Sequence, residues 1–118
     1  MTDAVSPVRS VQWVGPDRRV VVVAAAGDND LHRSADFQRS LLEVTAQKPG
    51  QVIVDLSGVP YMDSSGVASL VKLLARVRRD GGVVKLAGLT PRVRSVFEIT
   101  RLDTVFQIFS NKEEALAS

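Results

Sequence analysis

The chain has 118 residues, with 15 Lys+Arg against 13 Asp+Glu, a formal charge of +2, 45% hydrophobic and 5% aromatic residues, and no Cys. That size fits one domain with an ordinary core, while the missing Cys excludes a disulfide scaffold, thiolate metal sites and a Cys nucleophile, and the single His, His32, excludes a multi-histidine metal site. The longest apolar run, Val20 to Ala26, falls far short of the roughly 20 residues that span a bilayer, and Met1-Thr2-Asp3 lacks the basic start of a secretory signal, so a cytoplasmic setting without membrane insertion is expected.

Residues 1–9 read as an N-terminal arm and residues 10–118 as a single domain. Ser10 to Val14 is a short strand, closed by the turn signal Gly15-Pro16-Asp17. Arg19 to Ala26 is β-branched and apolar, the pattern of a buried strand. Ser34 to Ala46 fits a helix with Phe37, Leu41 and Val44 on one face and Ser34 as its cap. Lys48-Pro49-Gly50 ends it, and Val52 to Leu56 is the next strand.

After Asp63-Ser64-Ser65-Gly66, the residues Val67, Leu70, Val71, Leu74 and Val77 recur on one helical face, with Lys72, Arg76 and Arg79 on the other. Gly81-Gly82 stops this helix, and Val83 to Ala87 is a strand. Thr90-Pro91 reads as a cap followed by proline at the first helical position, opening a helix to about Thr100. Val105 to Phe109 reads as a last strand, and Ser110-Asn111-Lys112-Glu113 has capping-box spacing before a terminal helix. The order β-β-α-β-α-β-α-β-α predicts an α/β domain whose sheet is parallel wherever a helix crosses over.

Charge is unevenly spread. Residues 72–101 hold eight bases and two acids, a local +6, and the remainder carries −4. Such a stretch suits either solvated helix faces or an acidic protein partner, through Arg76, Arg79, Arg92 and Arg94. No aromatic residues are interleaved with these bases as nucleic-acid binding would favour, so no direct nucleic-acid contact is expected.

The informative turn is Asp63-Ser64-Ser65-Gly66. Two hydroxyls stand where a helix begins, and free N–H groups there favour negative charge. A phosphate on either Ser would be stabilised locally and would add about −1.5 to −2 of charge. Asp and Ser are also ordinary helix caps, so residue chemistry alone leaves both roles open.

The stretch Val52-Ile53-Val54-Asp55-Leu56-Ser57-Gly58-Val59-Pro60-Tyr61-Met62-Asp63-Ser64-Ser65-Gly66-Val67 resembles the STAS domain family, in particular bacterial anti-sigma factor antagonists. Gly27-Asp28-Asn29-Asp30 is similar to the family's Gly-Glu-Leu-Asp turn, departing from it at Asp28 and at Asn29, where an apolar residue is usual. Gly81 to Leu89, Pro91 to Phe97 and Leu102 extend the likeness over about residues 11–116. The resemblance implies a small mixed β-sheet with helices packed mostly on one side.

It also implies a partner switch. The unphosphorylated antagonist binds an anti-sigma factor that is also a serine kinase, freeing the sigma factor for transcription. Phosphorylation on a Ser of the turn releases the complex, and a metal-dependent serine phosphatase resets it. By resemblance the acceptor is Ser65, with Ser64 as the alternative, and the partner surface takes in Asp30, Asp63, Ser64, Ser65 and Gly66, to which the charge pattern adds Arg76 and Arg92. The chain is then a kinase substrate and not an enzyme, with no cofactor and no metal site. Two alternatives differ in class: a STAS scaffold or accessory subunit of a stress-signalling or transport complex, and a phospho-aspartate receiver using Asp55 with Asp28, Asp30 and Lys85.

Overall fold

The computed structural model describes residues 7–17 and 19–118. Most of the arm expected over residues 1–9 lies outside the described residues, and its last part is already sheet. The strands are β1 (Val8–Val14), β2 (Val20–Ala26), β3 (Gln51–Gly58), β4 (Val83–Ala87) and β5 (Gln107–Phe109). The helices are α1 (Leu31–Thr45), α2 (Ser64–Arg79), α3 (Pro91–Ile99) and α4 (Lys112–Ala117), with a 3₁₀ turn over Leu102–Thr104.

The five strands lie side by side in chain order. β1 runs antiparallel to β2, and every later neighbour is parallel. Each parallel step therefore needs a crossover, and crossovers of one hand that always advance in the same direction place their helices on one face. Val21, Val52 and Val84 stand in register across β2, β3 and β4, as do Val23, Val54 and Leu86. These residues meet Phe37 and Leu41 of α1, Leu70, Leu73 and Leu74 of α2, and Val93 and Phe97 of α3 in the main core. The opposite face is thinner: Val22, Ile53 and Ala87 pack with Ala115 of α4. Both faces of β2 and β3 are thus covered, which is why these strands read as continuous apolar runs without alternation.

Several boundaries differ from expectation. α1 begins three residues before Ser34, with Asp30 as N-cap accepting the His32 N–H at 3.0 Å. On α2 the buried stripe includes Leu73, whereas Val71 is exposed. At about 100° per residue these two flank the stripe on opposite sides, and Leu73 takes the place in the core. Thr90 does not cap α3 with its side chain; its hydroxyl donates to the Val59 carbonyl at 3.1 Å and ties α3 to the loop before the Ser-Ser turn. The last strand keeps only Gln107–Phe109, because Phe106 turns into the core edge-on to Phe97, with ring centroids 5.7 Å apart. The terminal cap is shifted by one residue: Asn111 accepts the Glu114 N–H at 2.8 Å, and Glu114 accepts the Ser110 N–H at 3.3 Å.

Candidate functional site

β2 and β3 end side by side, so the loops that follow them meet. Asn29 donates its N–H to the Tyr61 carbonyl at 2.8 Å and accepts the Asp63 N–H at 3.1 Å. That pair brings the starts of α1 and α2 together, each capped by an aspartate: Asp30 for α1 and Asp63 for α2. Ser69 reinforces the junction from within. Its buried hydroxyl lies 3.3 Å from the Ser34 carbonyl of α1 and 3.2 Å from the Ser65 carbonyl of α2.

Asp63 organises the turn. One carboxylate oxygen accepts the Ser65 N–H at 2.9 Å, the Gly66 N–H at 3.3 Å and the Ser65 hydroxyl at 2.5 Å. The Ser65 hydroxyl, foremost, holds the Asp63 carboxyl below its ordinary pKa; partial desolvation opposes this, and the N–H groups of Gly66, Ser65 and Leu31 add to the lowering. Ser64 is exposed, and Ser65 is half-buried. The two hydroxyls therefore differ: Ser65 is engaged with a carboxylate, and Ser64 faces water.

Gly66 is required by space. A Cβ there would fall 2.7 Å from Asn29 Oδ1, 2.7 Å from Met62 Cγ and 2.9 Å from the Asn29 carbonyl oxygen. Asn29 itself is only 1% exposed, and its Oδ1 is buried with no hydrogen-bond partner. That is the physical consequence of Asn standing where an apolar residue is usual.

Asp30, Asp63, Ser64, Ser65 and Gly66 are brought together, while Arg76 and Arg92 are not part of the turn. Arg76 lies eleven residues along α2 from Ser65, about 16 Å at the helical rise, and its Nε is 3.7 Å from Asp80. Arg92 stacks over the Tyr61 ring at 5.0 Å from the ring centroid, beside the loop that leads to the turn. Leu31 escaped the sequence reading. It opens α1 next to Asp30 and is 73% exposed, so it lies off the helical apolar stripe that periodicity detects.

The receiver alternative fails on Lys85. Its ammonium is buried against α4, donating to the Ala115 carbonyl at 3.0 Å and to the Ser118 hydroxyl at 2.8 Å, and does not reach toward Asp55 from beyond its strand. Among the described residues no His/Cys/Asp/Glu group is arranged to hold a metal ion. No helix among them is long and apolar enough to cross a membrane.

Comparison with known proteins agrees with this geometry. The STAS domain matches residues 16–115. The anti-sigma-B factor antagonist of Bacillus subtilis (strain 168) is 32% identical over 93 residues, covering 79% of this chain and 84% of that protein. An anti-sigma-factor antagonist (STAS) domain protein from Planctomyces limnophilus superposes with a TM-score of 0.81 at 27% identity, covering 97% of this chain and 98% of that one. The Bacillus cell fate determinant SpoIIAA, in its phosphorylated form, shares the fold with a TM-score of 0.68 at 23% identity, over 92% of this chain and 97% of that one. With its sheet order, its paired helix starts and its Asp-Ser-Ser-Gly turn, the chain belongs to the STAS domain family.

Proposed function

We propose that this protein is an anti-sigma factor antagonist whose binding to an anti-sigma factor serine kinase is switched off by phosphorylation of Ser65, so that it regulates sigma-factor-dependent transcription. A metal-dependent serine phosphatase restores the binding form. The observation that carries the reading is the Ser65 hydroxyl held at 2.5 Å by the Asp63 carboxylate, at the start of α2. Converting that hydroxyl to a phosphate removes a donor and sets about −1.5 to −2 of charge against an ionised carboxylate. Ser64 is exposed to water, whereas the Ser65 hydroxyl is the one bonded to the Asp63 carboxylate, which favours Ser65 as the switch. In a docked complex the same dianion would also have to lose water, a cost the neutral hydroxyl avoids.

The partner-facing surface joins this turn to Asp30, the exposed Leu31 and the Arg92–Tyr61 pair. Leu31 supplies an apolar anchor, and the polar residues around it form a rim. The relatives' names and a solved phosphorylated form of the same fold support the assignment.

The test is affinity for the anti-sigma factor of the same organism. Ser65→Ala is expected to bind like the parent and to resist phosphorylation by that kinase. Ser65→Asp is expected to lose a hundredfold or more in affinity, about 3 kcal/mol, with an unchanged circular dichroism spectrum. Undiminished binding by Ser65→Asp, or full phosphate incorporation into Ser65→Ala, would overturn the assignment of Ser65.

A further inference from the structure

Beyond the switch, the molecule carries a second candidate surface on the open side of its helical layer. α1 and α2 leave a groove of about 360 Å³ between them, lined by Gln38 and Leu42 from α1 and by Lys72, Ala75, Arg76 and Arg79 from α2. Its walls hold three cations and no acid. Arg76 has one partner, Asp80 at 3.7 Å, whereas Lys72 and Arg79 make no ion pair among the described residues. Leu42, half-buried, and Ala75, exposed, add apolar lining to the groove. The bases at 72, 76 and 79 follow helical spacing, so they form one ridge along one edge.

We infer that this groove docks an acidic, partly apolar segment of a protein partner, and that it does so whatever the state of Ser65. The charge ridge calls for carboxylates, and the apolar lining of Leu42 and Ala75 calls for aliphatic side chains between them. Nucleic acid fits less well, since the groove offers no aromatic platform for stacking. A symmetric self-contact fits poorly too, because it would set the same basic ridge against itself. Lys72 and Arg79 lie seven and fourteen residues beyond Ser65 on α2, about 10 and 21 Å along the axis. Those separations match or exceed the screening length of about 8 Å at physiological salt. A phosphate at the turn therefore leaves the groove's field largely intact, and a partner anchored here could stay near while the switch surface is released.

The test uses the full chain, labelled with ¹⁵N, and a synthetic helical peptide carrying Glu along one edge and Leu along the other. Controls are the same peptide with Lys in place of Glu, and a short DNA duplex. The expected result is amide shifts centred on Gln38, Leu42 and Ala75, with an affinity that falls steeply with added salt. The K72E/R76E/R79E variant is expected to bind at least tenfold more weakly, and Ser65→Asp within twofold of the parent. A K72A/R76A/R79A variant, checked by circular dichroism, separates lost charge from lost fold and should also weaken binding. Shifts away from the groove, equal binding of the Lys peptide, tighter binding of the duplex at the same residues, or parent-like binding by both triple variants would overturn the proposal. The probe is a peptide, so this result stands apart from the fate of the Ser65 assignment.

Discussion

Asp63 shows how much one side chain sets at this site. It caps α2, engages the Ser65 hydroxyl, and is stabilised by N–H groups from α2 and from Leu31 of α1. Its folded pKa is lowered, chiefly by the Ser65 hydroxyl, so the sign of its pH dependence follows. The stabilising contribution is fully present above the ordinary carboxylate pKa of about 3.9 and is lost as pH falls through the lower folded value. Asn is as good a cap as Asp but carries no charge. Asp63→Asn is therefore expected to cost about 0.3–1 kcal/mol at neutral pH, the size of a charge at a helix terminus. Urea unfolding should show that gap closing as pH drops from about 6 toward 2. A gap that stays constant across that range would mean that the carboxylate charge contributes nothing. The same turn shows where residue-level reading succeeds and where it stops. The start of α2 at Asp-Ser-Ser-Gly was legible because Asp and Ser have fixed chemistry as helix caps, whereas the choice of Ser65 rests on the family resemblance. The burial of Asn29 was not legible, because it depends on two loops meeting across the sheet, nor was the exposed Leu31, which lies off the apolar stripe of α1.

Among the elements, those with strong patterns were read most accurately. β3 and β4 were placed within a residue or two by their apolar runs, and α2 ended at Gly81-Gly82 as expected, with the Gly82 N–H returning to the Val77 carbonyl at 2.8 Å. Errors gathered where tertiary contacts outweigh local pattern. Val105 has high strand propensity, yet the 3₁₀ turn and the seating of Phe106 against Phe97 shorten β5. α4 is the clearest case of an element held from outside itself. Six residues are too few for a stable isolated helix. Ala115 packs on the thin face of the sheet, and the buried Lys85 ammonium holds the helix end through the Ala115 and Ser118 carbonyls, at 3.0 and 3.1 Å, while lying 5.4 Å from the Phe109 ring centroid. Lys85 enters the sequence reading only as part of the receiver alternative, because nothing local marks it as a tether. Hydrogen bonds to a charged group are worth about 1.5–3 kcal/mol. Lys85→Met keeps the apolar stem and removes the donors, so a loss of about 1–3 kcal/mol is expected. Faster hydrogen exchange at the Ala115 amide, which bonds to the Asn111 carbonyl at 3.2 Å, should accompany it. Unchanged exchange at that amide would show that packing alone holds α4.

At the scale of the whole molecule, the formal charge of +2 conceals a division of labour. The basic stretch follows α2 away from the turn, while Asp28, Asp30 and Asp63 gather around the two helix starts. One phosphate of about −2 would nearly cancel the net charge, yet its field would be concentrated where the acids already are. The fold is suited to absorb it. The strands beneath the turn are covered on both faces, with Val21, Val52, Ile53 and Val54 fully buried. The turn itself is held by short-range bonds to Asp63 that can rearrange without disturbing those layers. Local opening costs less than global unfolding, and a switch element belongs to the low-stability end of that range. The phosphorylated protein is therefore expected to keep parent-like hydrogen-exchange protection at Val22, Ile53 and Leu86. The Ser65, Gly66 and Leu31 amides, which serve the Asp63 carboxylate, should exchange several-fold faster or change their order of protection. Loss of protection spreading into β2 and β3 would instead mean that the phosphate acts by loosening the domain. A wholly unchanged exchange pattern would place the switch in the bound interface alone. Exchange measured on the free protein and on Ser65→Asp separates a local rearrangement from both outcomes, because the central strands report on the fold and the three turn amides report on the switch.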